Sequence, residues 1–359
     1  MKYLNALATI PGVGRQTLTL LINKFENYSD IFTASAQQLS QAGLSPNKIA
    51  LIIEGRTKID PQLEWQKLNQ EEIRIITIKD TAYPALLKEI PDPPALLYYK
   101  GNLDCFNLVN IAIIGSRKFT NYGKQVAEFF ARDLSKANIC VVSGLAIGID
   151  AISHQATLDA QGKTIAVLGS SLDRKSIYPR SNYILSEEIV SNSGLLISEF
   201  PIGSPTALGN FPSRNRIMAG ISQGILTIEA AEKSGSLITA NLALEYNREV
   251  FAVPGSIFST QSAGTNNLIK NGAKLTTSIY DILNELQLEK ECQGEVKKIA
   301  LVLNKDEEII INCLSAEPTH IDRIIKMTKL ETSRCISILA ILEIKGAIKN
   351  VGGQHYIRL

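Results

Sequence analysis

The 359-residue chain reads as an α/β protein: a doubly wound, mostly parallel sheet, flanked by a small helical N-terminal domain and a C-terminal winged-helix domain. Three observations lead there. Short apolar strands alternate with helical patterns through the middle of the chain, as crossover connections in a parallel sheet require. Apolar residues at helical spacing precede that region. Three helical patterns and a hairpin follow it.

The first segment, residues 1–65, carries Leu4, Leu7 and Ile10, then Leu18, Leu21 and Ile22, at helical spacing, with Pro11-Gly12-Val13-Gly14 between them. Helix, P-G-V-G, helix is the helix-hairpin-helix (SAM-like) pattern, whose turn amides can contact a phosphate without reading bases. A small helical domain whose tight turn needs glycine gives the same pattern, and Arg15 is the one basic residue beside the turn. Residues Ile73 to Ile78 predict a strand. The proline-rich stretch from Tyr83 to Gly101 belongs to the edge of the next domain rather than to a free linker.

The second segment, residues 70–285, predicts strands at Ile111–Ile114, Ile139–Val142, Thr164–Leu168, Leu195–Ile197, Gly224–Ile228 and Val250–Val253. Helical patterns lie between them, among them Tyr122–Lys136, Ile149–Gln161 and Ser236–Tyr246. The strands are continuous apolar runs, which marks them as buried on both faces. This is a Rossmann-like arrangement, and such sheets bind ligands outside the carboxyl ends of their strands.

After a charged stretch from Leu288 to Lys298, residues 300–359 predict helices at Glu307–Leu314, Ile321–Met327 and Thr332–Lys345. Ala347–Asn350, Val351–Gly353 and Gln354–Ile357 then read as strand, turn, strand. That is a winged-helix pattern. The helix that would read DNA, from Thr332, carries only Arg334 as a basic residue, so a protein-binding or inert module fits at least as well as a duplex reader.

Composition narrows the chemistry. Net charge is +2 and is spread evenly, so no segment has the positive balance of a non-specific DNA coat. No apolar run approaches the roughly 18 residues of a membrane span, and Met1–Asn5 lacks the charged-then-apolar order of a signal peptide. The five cysteines show no C-x-x-C spacing and the three histidines are far apart, which argues against disulfides and metal sites and for a reducing cytoplasm. No cofactor is expected.

The strand ends carry the candidate site. The strand through Ile114 runs into Gly115-Ser116-Arg117 ahead of a helix, an anion-binding turn with a guanidinium fork added. Ser143-Gly144 and Gly148, after the second strand, let backbone approach a ligand closely. Asp150 and His154 follow one helical turn apart. With no nucleophile or metal cluster beside them, they are read as shaping the loop. Gly169 ends the third strand, and Arg180 after Tyr178-Pro179 is a second candidate phosphate ligand.

Phe211 and Pro212 precede Arg214-Asn215-Arg216 and a helical stretch over Ile217–Ser222. An aromatic beside arginines can hold a stacked base and a phosphate. Residues two apart point to different sides, so one arginine is expected to face the ligand and the other to form an internal ion pair. Ser234-Gly235-Ser236 sets another amide-rich cradle at a helix start. The set lacks a nucleophile with a base, a metal cage or a carboxylate pair. It predicts binding of a phosphate-bearing ligand and is quiet on catalysis.

These residues in this order closely resemble the DNA-processing protein A family (DprA, also called Smf). The matching stretches are Gly115-Ser116-Arg117, Ser143-Gly144-Leu145-Ala146 with Gly148-Ile149-Asp150 and His154, and Tyr178-Pro179-Arg180 with Asn182. Ser198-Glu199, Phe211-Pro212 with Arg214-Asn215-Arg216, Ser234 to Thr239, Val253-Pro254-Gly255 and Gly272-Ala273 complete them. The resemblance implies a bacterial cytoplasmic protein without enzymatic activity. It implies single-stranded DNA as ligand, protected and loaded with the recombinase RecA during natural transformation, and homodimerisation through the Rossmann-like domain. It also implies that Arg117 and Arg180 line the strand-binding pocket.

The chain departs from the family at three places: Leu208-Gly209-Asn210 where a basic residue often precedes Phe-Pro, Ile147 where a polar or basic residue is frequent, and Ser171 in place of a common glycine. The first departure shifts expected affinity toward Arg214 and dimerisation. The rival reading is a phosphoribohydrolase-like enzyme acting on nucleoside monophosphates. Such an enzyme needs a Pro-Gly-Gly-x-Gly-Thr loop, where this chain has Val253-Pro254-Gly255-Ser256.

Overall fold

The computed structural model describes residues 1–205, 207, 209–288, 305–315, 317–344 and 347–358; Leu208 and most of the charged stretch after Leu288 fall outside them. Contacts divide the chain into two compact units, Met1–Cys292 and Gln293–Leu359.

The first unit is built on nine strands: β1 (Arg74–Thr77), β2 (Leu96–Gly101), β3 (Asn110–Ile114), β4 (Cys140–Ser143), β5 (Thr164–Leu168), β6 (Leu195–Ser198), β7 (Gly224–Thr227), β8 (Glu249–Ala252) and β9 (Lys274–Leu275). Their order in the sheet is β1-β2-β6-β5-β4-β3-β7-β8-β9. From β6 to β9 every pairing is parallel, and β1 and β2 close one edge antiparallel. Parallel strands covered on both faces must be apolar throughout. Accordingly β3, β4, β5, β6 and β7 contain only buried residues.

Topology fixes where a ligand can sit. From β3 the chain winds through β4 and β5 to β6 on one side, then returns to place β7 directly against β3 and continues outward through β8. Helices leaving the ends of β3 and β7 therefore diverge to opposite sides, and a crevice opens between those two carboxyl ends.

The N-terminal helices do not form a separate core. Leu4, Leu7, Leu21 and Ile52 share one buried cluster with Leu96, Tyr98, Ala166 and Leu196 of the sheet. The buried Tyr98 hydroxyl donates to Asn5 Oδ1 at 2.9 Å. The proline-rich stretch is packed too: the Tyr83 hydroxyl donates to the Pro94 carbonyl at 2.7 Å, and Leu87 and Ile90 lie against Gly220.

One helix departs from expectation. Residues Asn210–Ile221 form a single helix, so Phe211 to Arg216 lie inside it rather than ahead of it. Pro212 occupies the third helical position, where its missing N–H has no intrahelical acceptor to lose.

The second unit holds helices Lys305–Asn312, Ile321–Thr328 and Thr332–Ile344, with strands β10 (Thr319–His320), β11 (Ile348–Gly352) and β12 (His355–Arg358) in the order β10-β12-β11. Ile310, Ile324, Cys335, Leu339 and Ile348 form its core. This is a winged helix. The turn between β11 and β12 falls at Gly353 and Gln354, later than the sequence pattern suggests, because β11 continues through an irregularity between Asn350 and Gly352. No helix among the described residues is long and apolar enough to cross a membrane.

Candidate nucleic-acid interface

A cleft of about 470 Å³ occupies the crevice between the ends of β3 and β7. Gly115, Ser116 and Arg117 enter from β3, Phe211, Pro212, Arg214 and Asn215 from the Asn210–Ile221 helix, and Ser234, Gly235 and Ser236 from the β7 side. Two loops and a helix far apart in sequence thus line one space.

Each wall has a distinct local cause. Ser116 Oγ accepts the Lys118 amide at 3.0 Å and shapes the turn after β3. Glu229, 1% exposed at the end of β7, accepts the Thr120 amide at 2.9 Å and the Thr120 hydroxyl at 2.5 Å. That carboxylate fastens the two lips of the cleft together. On the far lip, the Ser234 and Ser236 hydroxyls lie 2.8 Å apart at the start of the Ser236–Glu245 helix.

Most of these glycines are required by close packing of the protein itself. A Cβ on Gly115 would fall 2.7 Å from Ile149 Cγ1, one on Gly148 would fall 2.5 Å from the Ser116 carbonyl, and one on Gly169 would fall 2.9 Å from the Phe211 ring. Gly144 accommodates the Arg214 guanidinium. Gly148 also sits at φ +95°, which favours glycine. Gly235 alone among them opens on empty space, beside the cleft.

The arginines divide their work. Arg117 is exposed, and its guanidinium carbon stands 5.7 Å from the Phe211 ring centroid. On that ring also packs Tyr178, at 5.7 Å between centroids and half exposed. Arg180 is exposed as well, lies over the Tyr183 ring at 4.5 Å and donates to the Arg174 carbonyl. It lies in the segment that follows β5, and it is not among the residues that line the cleft.

Arg214 borders the cleft but is 5% exposed. Its Nη1 donates to the carbonyls of Gly144 and Val167, and its Nε donates to Asn215 Oδ1 at 3.1 Å. Burial lowers its pKa to about 10, opposed by Asp150 and assisted by the nearby charge of Arg117. Arg214 is therefore a charged clip across the β4 and β5 ends, not a free fork. Arg216 turns away from the cleft: its Nη2 pairs with Glu199 at 2.5 Å and its Nη1 donates to the Asp92 carbonyl at 2.5 Å. The expected internal ion pair is the one made by Arg216. Both arginines are buried, each 5% exposed, by the partners that surround their guanidinium groups.

Asp150 and His154 do not form an acid/base pair. Asp150 Oδ2 accepts the Gly144 amide at 3.1 Å, and burial raises its pKa while Arg214 opposes the rise. His154 is fully buried, with Nδ1 2.7 Å from Thr164 Oγ1, and burial pushes its pKa down to about 3. It is a neutral packing residue. Ser143 is spent on the Ile113 carbonyl at 2.7 Å. Of the three departures, Ser171 is buried on Asp173 Oδ1 at 2.6 Å, Ile147 is exposed, and Asn210 holds the Pro205 carbonyl at 3.2 Å.

Sequence reasoning missed Lys118 and Lys233, two exposed lysines that line the cleft. Each adjoins a feature already singled out, Gly115-Ser116-Arg117 and Ser234-Gly235-Ser236, so position beside a strand-end loop was the available signal. It also missed Glu229 as the fastener. Four cations now border the cleft, Arg117, Lys118, Arg214 and Lys233, against the single buried carboxylate of Asp150.

Comparison with known proteins identifies the family. Residues 74–287 match the family model described as DNA recombination-mediator protein A, and residues 299–354 match the DprA winged helix domain. Protein Smf of Synechocystis is 35% identical over 99% of this chain and 98% of its own length. The crystal structure of DNA processing protein A from Streptococcus pneumoniae superposes with a TM-score of 0.67 at 35% identity, covering 79% of this chain and 98% of that one. The Helicobacter pylori protein, whose structure concerns its single-stranded DNA binding mode, gives 0.54 at 33% identity over 60% of this chain and 96% of that one.

Proposed function

The chain belongs to the DNA recombination-mediator protein A (DprA/Smf) family, and on that premise we propose that it binds single-stranded DNA in the cleft between β3 and β7 during DNA processing in transformation and recombination. One observation carries the reading: Arg117, Phe211 and Tyr178 form a cation–aromatic stack at a cleft bordered by Lys118, Arg214 and Lys233. The cations meet phosphates, and the aromatic faces meet bases. Only an unpaired base can leave its own stack to use such a face, so the arrangement selects single strands over duplex. Ser234, Gly235 and Ser236 add amides and hydroxyls, and Arg180 with Tyr183 extends the same chemistry past the end of β5.

The reading includes a cytoplasmic protein that protects an incoming strand, dimerises through its sheet domain and loads RecA onto the strand. The nucleotide-hydrolase alternative is not favoured. Asn266 brackets Gly255, donating to its carbonyl at 3.0 Å and accepting its amide at 3.2 Å, so that turn's polar groups are already occupied.

Fluorescence anisotropy with a labelled single strand and its duplex, each at two salt concentrations, tests the proposal. Three exposed cations on phosphates give a salt slope near −2, at about −0.7 per contact for single strands. Equal binding of both forms would remove the reading.

A further inference from the structure

Two cavities of the first compact unit meet at a single helical turn. Phe211 and Pro212 line the cleft, while Ser213 lines a second groove of about 510 Å³. Successive helical residues project about 100° apart, so the first turn of the Asn210–Ile221 helix is a partition with a cavity on each side. The partition is rigid, since Arg214 grips carbonyls on the cleft side and Arg216 grips Glu199 and Asp92 on the other. The opposite walls of the groove are Ile10 to Leu18 and the loop Glu199 to Pro205. At its far end the groove shares Gly12, Val13, Gly14 and Arg15 with an open cavity of about 400 Å³ that also includes Lys48.

We propose that the DNA strand held in the cleft continues over Pro212 and Ser213 into this groove, which makes the N-terminal helices a second DNA-binding element. The inference rests on the cleft reading and extends it. The groove suits bases, because Ile10, Val13, Phe200 and Ile202 line it. Its acids do not repel a strand: Glu199 is neutralised by Arg216 at 2.5 Å, and the neighbouring Asp92 by Arg15 at 2.5 Å. Its far end suits a phosphate. The ten-residue helix Arg15–Lys24 starts at Gly14 with no side-chain cap, so its first-turn amides await an outside acceptor. Lys48 is held beside them by the Gly12 carbonyl at 2.6 Å. Apolar faces followed by a cationic, amide-rich end repeat the order found in the cleft, on the other side of the same helical turn.

The test measures binding of dT6 and dT20 to the full chain and to three variants. The cleft alone holds the short strand, so the wild type is expected to bind dT20 at least tenfold more tightly than dT6. Ile202→Glu puts a charge among the groove's apolar residues, and Lys48→Glu reverses the charge at its far end without touching a packed core. Each is expected to weaken dT20 at least fivefold and leave dT6 unchanged. Arg117→Ala weakens both lengths. Wild-type dT20 affinity in both groove variants would overturn the inference while leaving the cleft in place. Unchanged dT6 binding by Arg117→Ala would overturn the cleft reading and the inference with it.

Discussion

The guanidinium of Arg117 rests over the ring of Phe211, 5.7 Å from its centroid, although one lies in the turn after β3 and the other in the first turn of a distant helix. An exposed cation–aromatic contact contributes about 0.5–1 kcal/mol, too little to explain the fold. Its consequence is positional. The charge stands where a phosphate can reach it while the ring, backed by Gly169 and Tyr178, stays available to a base.

Replacing Arg117 by alanine should therefore leave stability nearly unchanged and weaken single-strand binding more than tenfold, or about 1.4 kcal/mol, the loss expected for one charged hydrogen bond to phosphate. Anisotropy titration of the folded variant checks this. Wild-type affinity would take the cleft out of the account.

Phe211→Leu separates stacking from packing. Leucine keeps an apolar contact beside Gly169 but offers no aromatic face. Affinity should fall by roughly 1–3 kcal/mol, the contribution of one stacked base. The salt slope should stay as in the wild type, since no phosphate contact is lost. A reduced slope would mean that Phe211 acts by positioning Arg117 instead.

Glu229 makes a prediction about stability. Its buried carboxylate accepts both donors of Thr120, and Glu229→Ala would leave that amide and hydroxyl without their acceptor. A cost of about 3–6 kcal/mol is expected, the sum of two charge-assisted bonds of about 1.5–3 kcal/mol each. Thermal unfolding with and without single-stranded DNA is the measurement. The variant should also bind more weakly, because the lips of the cleft are no longer joined.

The particular residues show what a sequence can carry. The strands were legible because buried parallel strands are unbroken apolar runs, and with them the carboxyl-end location of the cleft. The start of the Asn210–Ile221 helix was not, because Pro212 reads as a breaker although a first turn tolerates it. Glycines announced close approach at Gly115, Gly144, Gly148 and Gly169, but sequence alone could not say that protein, not ligand, fills the space. Arg216 looked like a ligand for the same reason: its partner Glu199 lies on another element. Lys118 and Lys233 were overlooked because attention went to the loops' small residues and not to the cations beside them.

His154 gives a pH signature. Burial holds its folded pKa near 3, below the ordinary histidine value of about 6.5. Between those values the unfolded chain binds a proton that the folded chain refuses, so this residue's contribution to stability is complete above pH 6.5. It declines as pH falls toward 3, by up to about 1.4 kcal/mol per pH unit. Asp150 and Glu199, whose pKa values burial raises, act in the opposite direction. Urea unfolding of the wild type and of His154→Gln at pH 7, 6 and 5 isolates the histidine: the wild type should lose more stability across the series. Parallel losses would show that His154 takes up its proton as readily in the folded chain as in the unfolded one.

The winged helix is expected to contribute little to the affinity for single strands. Its one candidate for reading DNA, Arg334, is already paired with Asp306, and the Thr332–Ile344 helix offers no second arginine or lysine. The cleft cations, the Phe211–Tyr178 stack and Arg180 all lie in the first compact unit. Deleting residues 300–359 should therefore keep dT20 affinity within about threefold of the wild type, well under the 1.4 kcal/mol that marks a tenfold change. Loss of binding in a truncation with an intact unfolding transition would place a DNA contact in the winged helix and make its exposed Arg323, Lys326 and Lys329 the residues to examine.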